Sequence, residues 1–420
     1  MRALYIGLFG SLVLLACGGS VNDSPAPTQP TDDAGTDATP DAATDVPFPA
    51  VTPDLPRVVD SGGPVLATPS VTPIFFPGFD YPNEVQDFVK KIGASKYWAA
   101  LAEYGVGQIA AAPAVTLTSE QILPADIGSI TDDQIQKWVV SRFDGTHPEF
   151  GTTPDPNSIY TLFYPAQTVI SLQGAQSCQS FGGYHGNVTI QGKLVAYAVI
   201  PECKSFGNSK AVDVVTEVTS HELSEAATDP FPFDDPKYTQ VDRDHIAWEL
   251  FLGGGEVGDL CAQFSTSVYT PPDIGWVVQK NWSNANAKAG HDPCAPQNEG
   301  EPYFNVVPTM SDKVMTRANV TTKGVKVPVG ESRTIPLALY SDAPTSGPWT
   351  VSVQGFSRGG GTTNSPMTFT LDKNTGRNGD VLNLTITAKT AITSQSKSMT
   401  FLITSQLGTR RNTYIAIAGN

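Results

Sequence analysis

The hydrophobic periodicity of this chain changes once, near residue 305, and the change separates two kinds of architecture. From Val325 onward helical spacing vanishes. Short β-favouring runs replace it: Thr334–Leu339, Trp349–Val353, Met367–Leu371, Val381–Thr387, Met399–Thr404 and Tyr414–Ile417. Turn residues such as Gly359-Gly360-Gly361, Asn374-Thr375-Gly376 and Asn378-Gly379 separate them. Even spacing of this kind implies an all-β, immunoglobulin-like sandwich over residues 306–420. No catalytic cluster falls in it, so it is expected to present, space or bind.

Upstream of the break both periods occur. Ile74-Phe75-Phe76, Ser158–Tyr164 and Leu194–Ile200 read as strands. Val85, Phe88, Val89 and Ile92 sit at helical spacing, as do Trp98 and Leu101 in the segment from Ser95 to Tyr104. Thr131-Asp132-Asp133-Gln134 has the form of a capping box, and Ile135, Trp138 and Val139 continue the helix it opens. Lys210 to Thr228 reads as one further helix. Residues 61–305 are therefore expected to form an α+β domain.

The N-terminus carries an export signal. Met1-Arg2 is a short positive start, and Ala3 to Leu15 is apolar but too short to span a bilayer. Leu14-Leu15-Ala16-Cys17 then has the form of a bacterial lipobox. Residues 1–16 would be removed and Cys17 would take the lipid, with several acyl chains together giving stable membrane anchoring. An ordinary secretory signal followed by a chance cysteine is the competing reading. Gly18 after the cysteine favours the outer membrane of a two-membrane bacterium. Residues 17–60 are rich in Pro, Thr, Asp and Ala and read as a disordered tether, unable to bury enough apolar surface to offset its ordering entropy. Its acids contribute much of the net charge of −15, which argues against nucleic acid as a partner.

With Cys17 lipidated, Cys178, Cys203, Cys261 and Cys294 remain. An even number in an oxidising compartment implies two disulfides. Sequence order suggests Cys178–Cys203 and Cys261–Cys294, but three pairings are open. No Cys-x-x-Cys spacing supports a four-cysteine zinc site.

The chemistry concentrates in Thr219-Ser220-His221-Glu222-Leu223-Ser224-Glu225-Ala226-Ala227-Thr228-Asp229-Pro230. On a helix His221 and Glu225 share one face and can hold one metal ion. Glu222, beside the first ligand, is placed as general base toward a water at that ion. This is the logic of His-Glu-x-x-His zinc peptidases, with Glu225 where the second histidine would stand. Glu256 and Asp259, in Gly253-Gly254-Gly255-Glu256-Val257-Gly258-Asp259-Leu260-Cys261, are candidates for the third ligand and for an acid that orients a ligand. His185 is a further candidate, as metal ligand or oxyanion stabiliser. His245 and His291 are weaker, each in a polar, loop-like context. The bland alternative makes Glu225 a cap or salt bridge of a structural helix and Asp229-Pro230 a helix stop.

In order, Ser158–Leu162, Cys178 with Gly183-Tyr184-His185, Leu194–Val199 before Cys203, Ser220–Pro230 and Glu256–Cys261 resemble the phosphate-induced (Exordium-like) protein family over about residues 64–300. The resemblance implies an extracellular protein. It does not imply a reaction, so the zincin-like, zinc-dependent hydrolase rests on the helix motif. The alternative is a non-catalytic surface lipoprotein that binds wall glycans or other extracellular proteins, with the same polar cluster as a structural site.

Overall fold

Strands β1 (Ser70–Phe75), β2 (Ser158–Tyr164), β3 (Tyr184–Ile190) and β4 (Lys193–Pro201) form one sheet in the spatial order β1-β2-β4-β3. This is seen in a computed structural model, which describes residues 46–204, 210–262, 264, 266–298, 300–356 and 365–420. β1, β2 and β4 run parallel, and β3 closes one edge antiparallel to β4. The pairs Ala110–Ala111 and Val115–Thr116 add to β1 at the other edge.

The side chains of this sheet alternate between two cores, as a period of two requires. Val71, Phe75, Ile159, Phe163, Ala196 and Ala198 face one side. There they meet helix α1 (Pro82–Ile92), through Val85, Phe88, Val89 and Ile92, and helix α3 (Ala211–Thr228), through Val215, Leu223, Ala226 and Ala227. Ile74, Tyr160, Leu162, Tyr164, Tyr197 and Val199 face the other side and meet helix α2 (Asp132–Ser141) through Ile135, Trp138 and Val139. Every residue of β2 is buried, as expected for a strand covered on both faces. The region is thus mixed α/β around parallel strands. The α+β expectation failed on this point because a buried apolar run carries no mark of which strand it pairs with, or in which direction.

α3 is buried along most of its length, so its hydroxyls turn back onto its own carbonyls. Thr219 Oγ1 donates to Val215 O at 2.6 Å, Ser224 Oγ to Ser220 O at 2.8 Å and Thr228 Oγ1 to Ser224 O at 2.9 Å. At the start of α2, Thr131 N–H donates to Gln134 Oε1 at 2.9 Å, the backbone half of the expected capping box.

The C-terminal region is mostly β. Its strands are β5 (Phe304–Pro308), β6 (Asp312–Met315), β7 (Thr321–Lys326), β8 (Ser332–Ser341), β9 (Trp349–Phe356), β10 (Met367–Leu371), β11 (Val381–Ala388), β12 (Met399–Leu407) and β13 (Arg410–Gly419). One antiparallel sheet has the order β5-β8-β11-β10. The other runs β6-β7-β13-β12-β9 and ends on Thr375–Gly376, antiparallel except where β7 meets β13. The six runs read from the sequence all lie within strands. β5, β6 and β7 were not anticipated, and β5 straddles the expected boundary at 305/306.

The two regions share one apolar core. Helix α4 (Ile246–Leu252) carries Trp248, whose ring meets Tyr414 of β13 edge-on at 5.6 Å and Trp282 at 5.7 Å. Phe251 meets Phe356 of β9 at 5.2 Å.

The end of the expected tether is built into this junction. Leu55 and Val58 are buried. Val59 N–H donates to Gln240 O at 2.8 Å and Tyr414 Oη donates to Asp54 O at 3.0 Å. Asn378 accepts from Ala50 N–H at 3.0 Å and donates to Pro47 O at 2.9 Å. Residues 46–60 therefore strap the two regions, because Val51, Leu55 and Val58 give this Pro-rich segment enough apolar surface to dock. The signal peptide, Cys17 and residues 18–45 lie outside the described residues. A chain starting at residue 61 is expected to unfold at lower urea than one starting at residue 46. Burial of Leu55 and Val58 contributes about 1.5–3 kcal/mol each. Equal midpoints would show that the strap adds nothing.

Both disulfides take the pairing suggested by sequence order, Cys178–Cys203 and Cys261–Cys294. With sequence separations of 25 and 33, chain-entropy arguments assign each about 3.5 kcal/mol. Among the described residues no helix is long and apolar enough to cross a membrane.

Candidate metal centre

α3 presents His221, Glu222 and Glu225 toward the C-terminal edge of the sheet, and three other segments bring polar side chains to meet them. His185 comes from β3. Tyr184, Val188 and Ile190 point to the α2 side, so His185, of opposite parity, faces α3. Glu256 and Asp259 arrive from the turn after α4, tied down through Cys261 by its disulfide to Cys294. All six residues singled out in the sequence fall in one cluster.

They form two groups that could each hold a metal ion: His221 with Glu225 and Asp259, and His185 with Glu225 and Glu256. His221 Nε2 lies 3.2 Å from Glu225 Oε2 and 3.9 Å from Asp259 Oδ1. His185 Nδ1 lies 3.5 Å from Glu222 Oε2 and 3.7 Å from Glu225 Oε2, while its Nε2 lies 3.5 Å from Glu256 Oε1. The other oxygen of Glu225 accepts the backbone N–H of Asp259 at 3.0 Å. The expected triad of His221, Glu225 and Glu256 is therefore regrouped: Asp259 stands with His221, and Glu256 with His185.

Glycines make room for this arrangement. A Cβ at position 258 would sit 2.7 Å from His221 Nδ1 and 2.8 Å from Glu225 Oε1. At 254 it would overlap the Asp259 carboxylate. Any side chain at either position would displace a member of the cluster.

Two residues here were missed by sequence reasoning, Gln279 and Asp229. Gln279 Oε1 meets His221 Nδ1 at 3.2 Å, its amide nitrogen donates to Gly258 O at 2.8 Å, and its backbone N–H donates to Ser220 Oγ at 3.0 Å. It follows no motif and lies 58 positions beyond His221, so no local signal marked it. Asp229, expected as a helix stop, is fully buried. Its Oδ1 accepts Lys237 N–H at 2.7 Å, and its Oδ2 has no hydrogen-bond partner. His245 and His291 lie elsewhere, paired with Asp242 and Asp342.

The electrostatics reflect crowded, buried carboxylates. Among the described residues the ion-pair partners of Glu222, Glu225, Glu256 and Asp259 are histidines, with no lysine or arginine. Burial, reinforced by Glu225, pushes Asp259 up to about 7. Burial and then Glu225, Asp259 and Asp229 push Glu256 well above the usual carboxylate range. Burial alone would lower His221, but Glu225, Glu222 and Asp259 outweigh it and hold the ring well above its ordinary value. His185 is raised in the same way, against burial, by Glu222 and Glu225. Glu225 is held low despite burial, by His221 and His185. His185 Nε2 and Glu256 Oε1 face each other, buried and without a hydrogen-bond partner. A buried ring nitrogen set against a carboxylate oxygen in this way fits a cation between them once the ring is neutral.

No family model and no curated protein matches this chain. Among solved structures, domains 4 and 5 of the S-layer protein SbsC match with 15% identity over 29% of this chain, at a TM-score of 0.18. The match spans 54% of that structure.

Proposed function

We propose that this chain is an exported, lipid-anchored protein of the bacterial envelope whose first region is a zinc-dependent hydrolase of peptidase type. One observation carries the reading: two histidines and a set of carboxylates converge in a buried cluster where opposed acceptor atoms lack partners. His221 and Glu225, with Asp259 or Glu256 as the third ligand, would hold zinc, and the distances favour Asp259. When bound there, zinc supplies Lewis acidity toward a carbonyl oxygen. Glu222 takes a proton from the attacking water and returns it to the leaving amine. Gln279 holds the His221 ring in place from behind. Glu256 and Asp259, about one-fifth exposed, mark the side from which substrate enters.

A cavity of about 540 Å³ lined by Asp133, Gln136, Lys137, Asn187, Thr189 and Asp234 lies along β3. Most of its lining comes from α2, so it opens on the sheet face opposite α3 and contributes no residue to the cluster. The lipobox at Cys17 supports anchoring in the outer membrane, and the two disulfides fit an oxidising compartment. On this reading the first region is zincin-like, related to the Exordium-like family through its ordered motifs, and the second is an immunoglobulin-like sandwich that positions it or docks an extracellular protein or wall glycan.

The near-complete burial of Glu222 and Glu225 favours a second reading, a closed structural site in a non-catalytic surface protein. Chelation of the purified full chain separates the two. The hydrolase should lose casein cleavage with a modest fall in its urea midpoint. A structural site should instead melt the first region, with no cleavage before or after. Absence of bound metal by mass spectrometry, in a folded and zinc-exposed chain, would sink both.

A further inference from the structure

We infer that the cluster holds two divalent cations, with Glu225 as the carboxylate shared between them. The inference deepens the metal-centre reading and rests on it. Glu225 belongs to both groups of potential ligands, with His221 and Asp259 in one and His185 and Glu256 in the other, and its Oε2 lies 3.2 Å from His221 Nε2. Each imidazole brings a carboxylate of its own, Asp259 beside His221 and Glu256 beside His185.

Hydrogen bonding on each side points to a cation independently. On the His221 side, the amide nitrogen of Gln279 is committed to Gly258 O at 2.8 Å, which turns its Oε1 toward His221 Nδ1. That oxygen accepts only, so Nδ1 carries the proton and, in the neutral ring, Nε2 is a bare lone pair facing Glu225 and Asp259. On the His185 side, Nε2 and Glu256 Oε1 are buried 3.5 Å apart with no hydrogen-bond partner. Asp229 Oδ2, fully buried nearby, also has none. Two positions of lone pair against carboxylate are thus built, and one ion at one of them leaves the other bare.

Charge leads to the same count. Glu222, Glu225, Asp229, Glu256 and Asp259 are five carboxylates with two histidines and, among the described residues, no lysine or arginine side chain in the group. Metal binding needs deprotonated ligands, and in that state, with five carboxylates ionised and both histidines neutral, one divalent cation leaves three uncompensated negative charges in a buried site. Two leave one, a far smaller desolvation penalty. Two bound cations would supply charge both to the attacking water and to the acyl oxygen that gains negative charge. The substrate class is accordingly a hydrolysable ester or amide whose carbonyl oxygen reaches the site.

The test is zinc stoichiometry of the full chain, stripped with chelator, reloaded with zinc alone, desalted and counted by mass spectrometry. Two zinc per chain are expected in the unaltered protein. One is expected in His185→Ala and one in His221→Ala, with Glu256→Gln as a second variant on the His185 side and circular dichroism to confirm folding. Saturation at one zinc in the unaltered protein would overturn the inference, whatever the variants do, and leave a mononuclear centre standing. Two zinc retained in folded His185→Ala and His221→Ala would also overturn it, by placing the ions elsewhere. No zinc in any folded form would remove the metal-centre reading itself.

Discussion

Glu225→Gln is expected to strip the cluster of metal while leaving the fold in place. The glutamine has the shape of the native side chain, and its amide oxygen can still accept the Asp259 N–H that Glu225 Oε1 now receives at 3.0 Å. What it lacks is the anionic oxygen that faces His221 Nε2 at 3.2 Å and His185 Nδ1 at 3.7 Å. Loss of a residue that only supports a ligand weakens metal binding by about 10–100-fold. Loss of a ligand common to both groups should therefore exceed about 100-fold. Isothermal titration of the stripped chain with zinc reads this directly, and native-like affinity in the variant would refute the assignment of Glu225. Glu222→Gln is the natural comparison, because it should keep zinc and lose hydrolysis, typically by a factor of about 10²–10⁴ for a general base.

The second large effect is a pH dependence that zinc reverses. Asp259 is raised from 3.8 to about 7, and Glu256 is raised further from the carboxylate range. A carboxyl raised on folding binds more protons folded than unfolded, so its contribution is present at low pH and is lost as pH rises through the folded value. The raised His185 and His221 have the same sign, with stability present below their unfolded values and lost as pH rises through the folded ones. Glu225, held low, opposes them: its contribution is present above its unfolded value and lost as pH falls through the folded one. With Asp229 also raised by burial, five groups against one give a metal-free cluster whose contribution to stability falls as pH rises from about 4 to beyond 7. The fall is on the order of a few kcal/mol, since each tenfold change in a group's proton affinity on folding is worth about 1.36 kcal/mol. Zinc needs deprotonated ligands, so its binding strengthens over the same range. Urea midpoints with chelator should decline from pH 5 to pH 8, while midpoints in excess zinc should hold or rise. A metal-free midpoint that rises with pH would contradict the crowded-carboxylate description.

Much of the architecture was legible because it is written in local periodicity. α3 spans Ala211–Thr228 where the sequence reads as one helix from Lys210 to Thr228, and β2 matches its apolar run residue for residue. The regular β-runs after residue 325 all became strands, since each needs only alternation and a turn beside it. β3 escaped, although Tyr184, Val188 and Ile190 alternate, because Phe181-Gly182-Gly183 before it reads as a loop. The strap at residues 46–60 escaped for a different reason: its composition resembles a tether, and only the groove between the two regions gives Leu55 and Val58 somewhere to go.

The candidate site divides along the same line. His221, Glu222 and Glu225 lie on one helical turn, so their proximity follows from 3.6 residues per turn and was decided by sequence alone. The cysteines were legible too, since their number implied two bridges. Three things depended on tertiary structure. The parallel order of the sheet places β3 at its edge with His185 facing α3. The disulfide-held turn sets Asp259 against His221 and Glu256 against His185. Gln279, 58 positions beyond His221, settles which ring nitrogen is free. Contacts between distant segments are set by packing of whole layers, and no residue's neighbours in sequence record which layer it will meet.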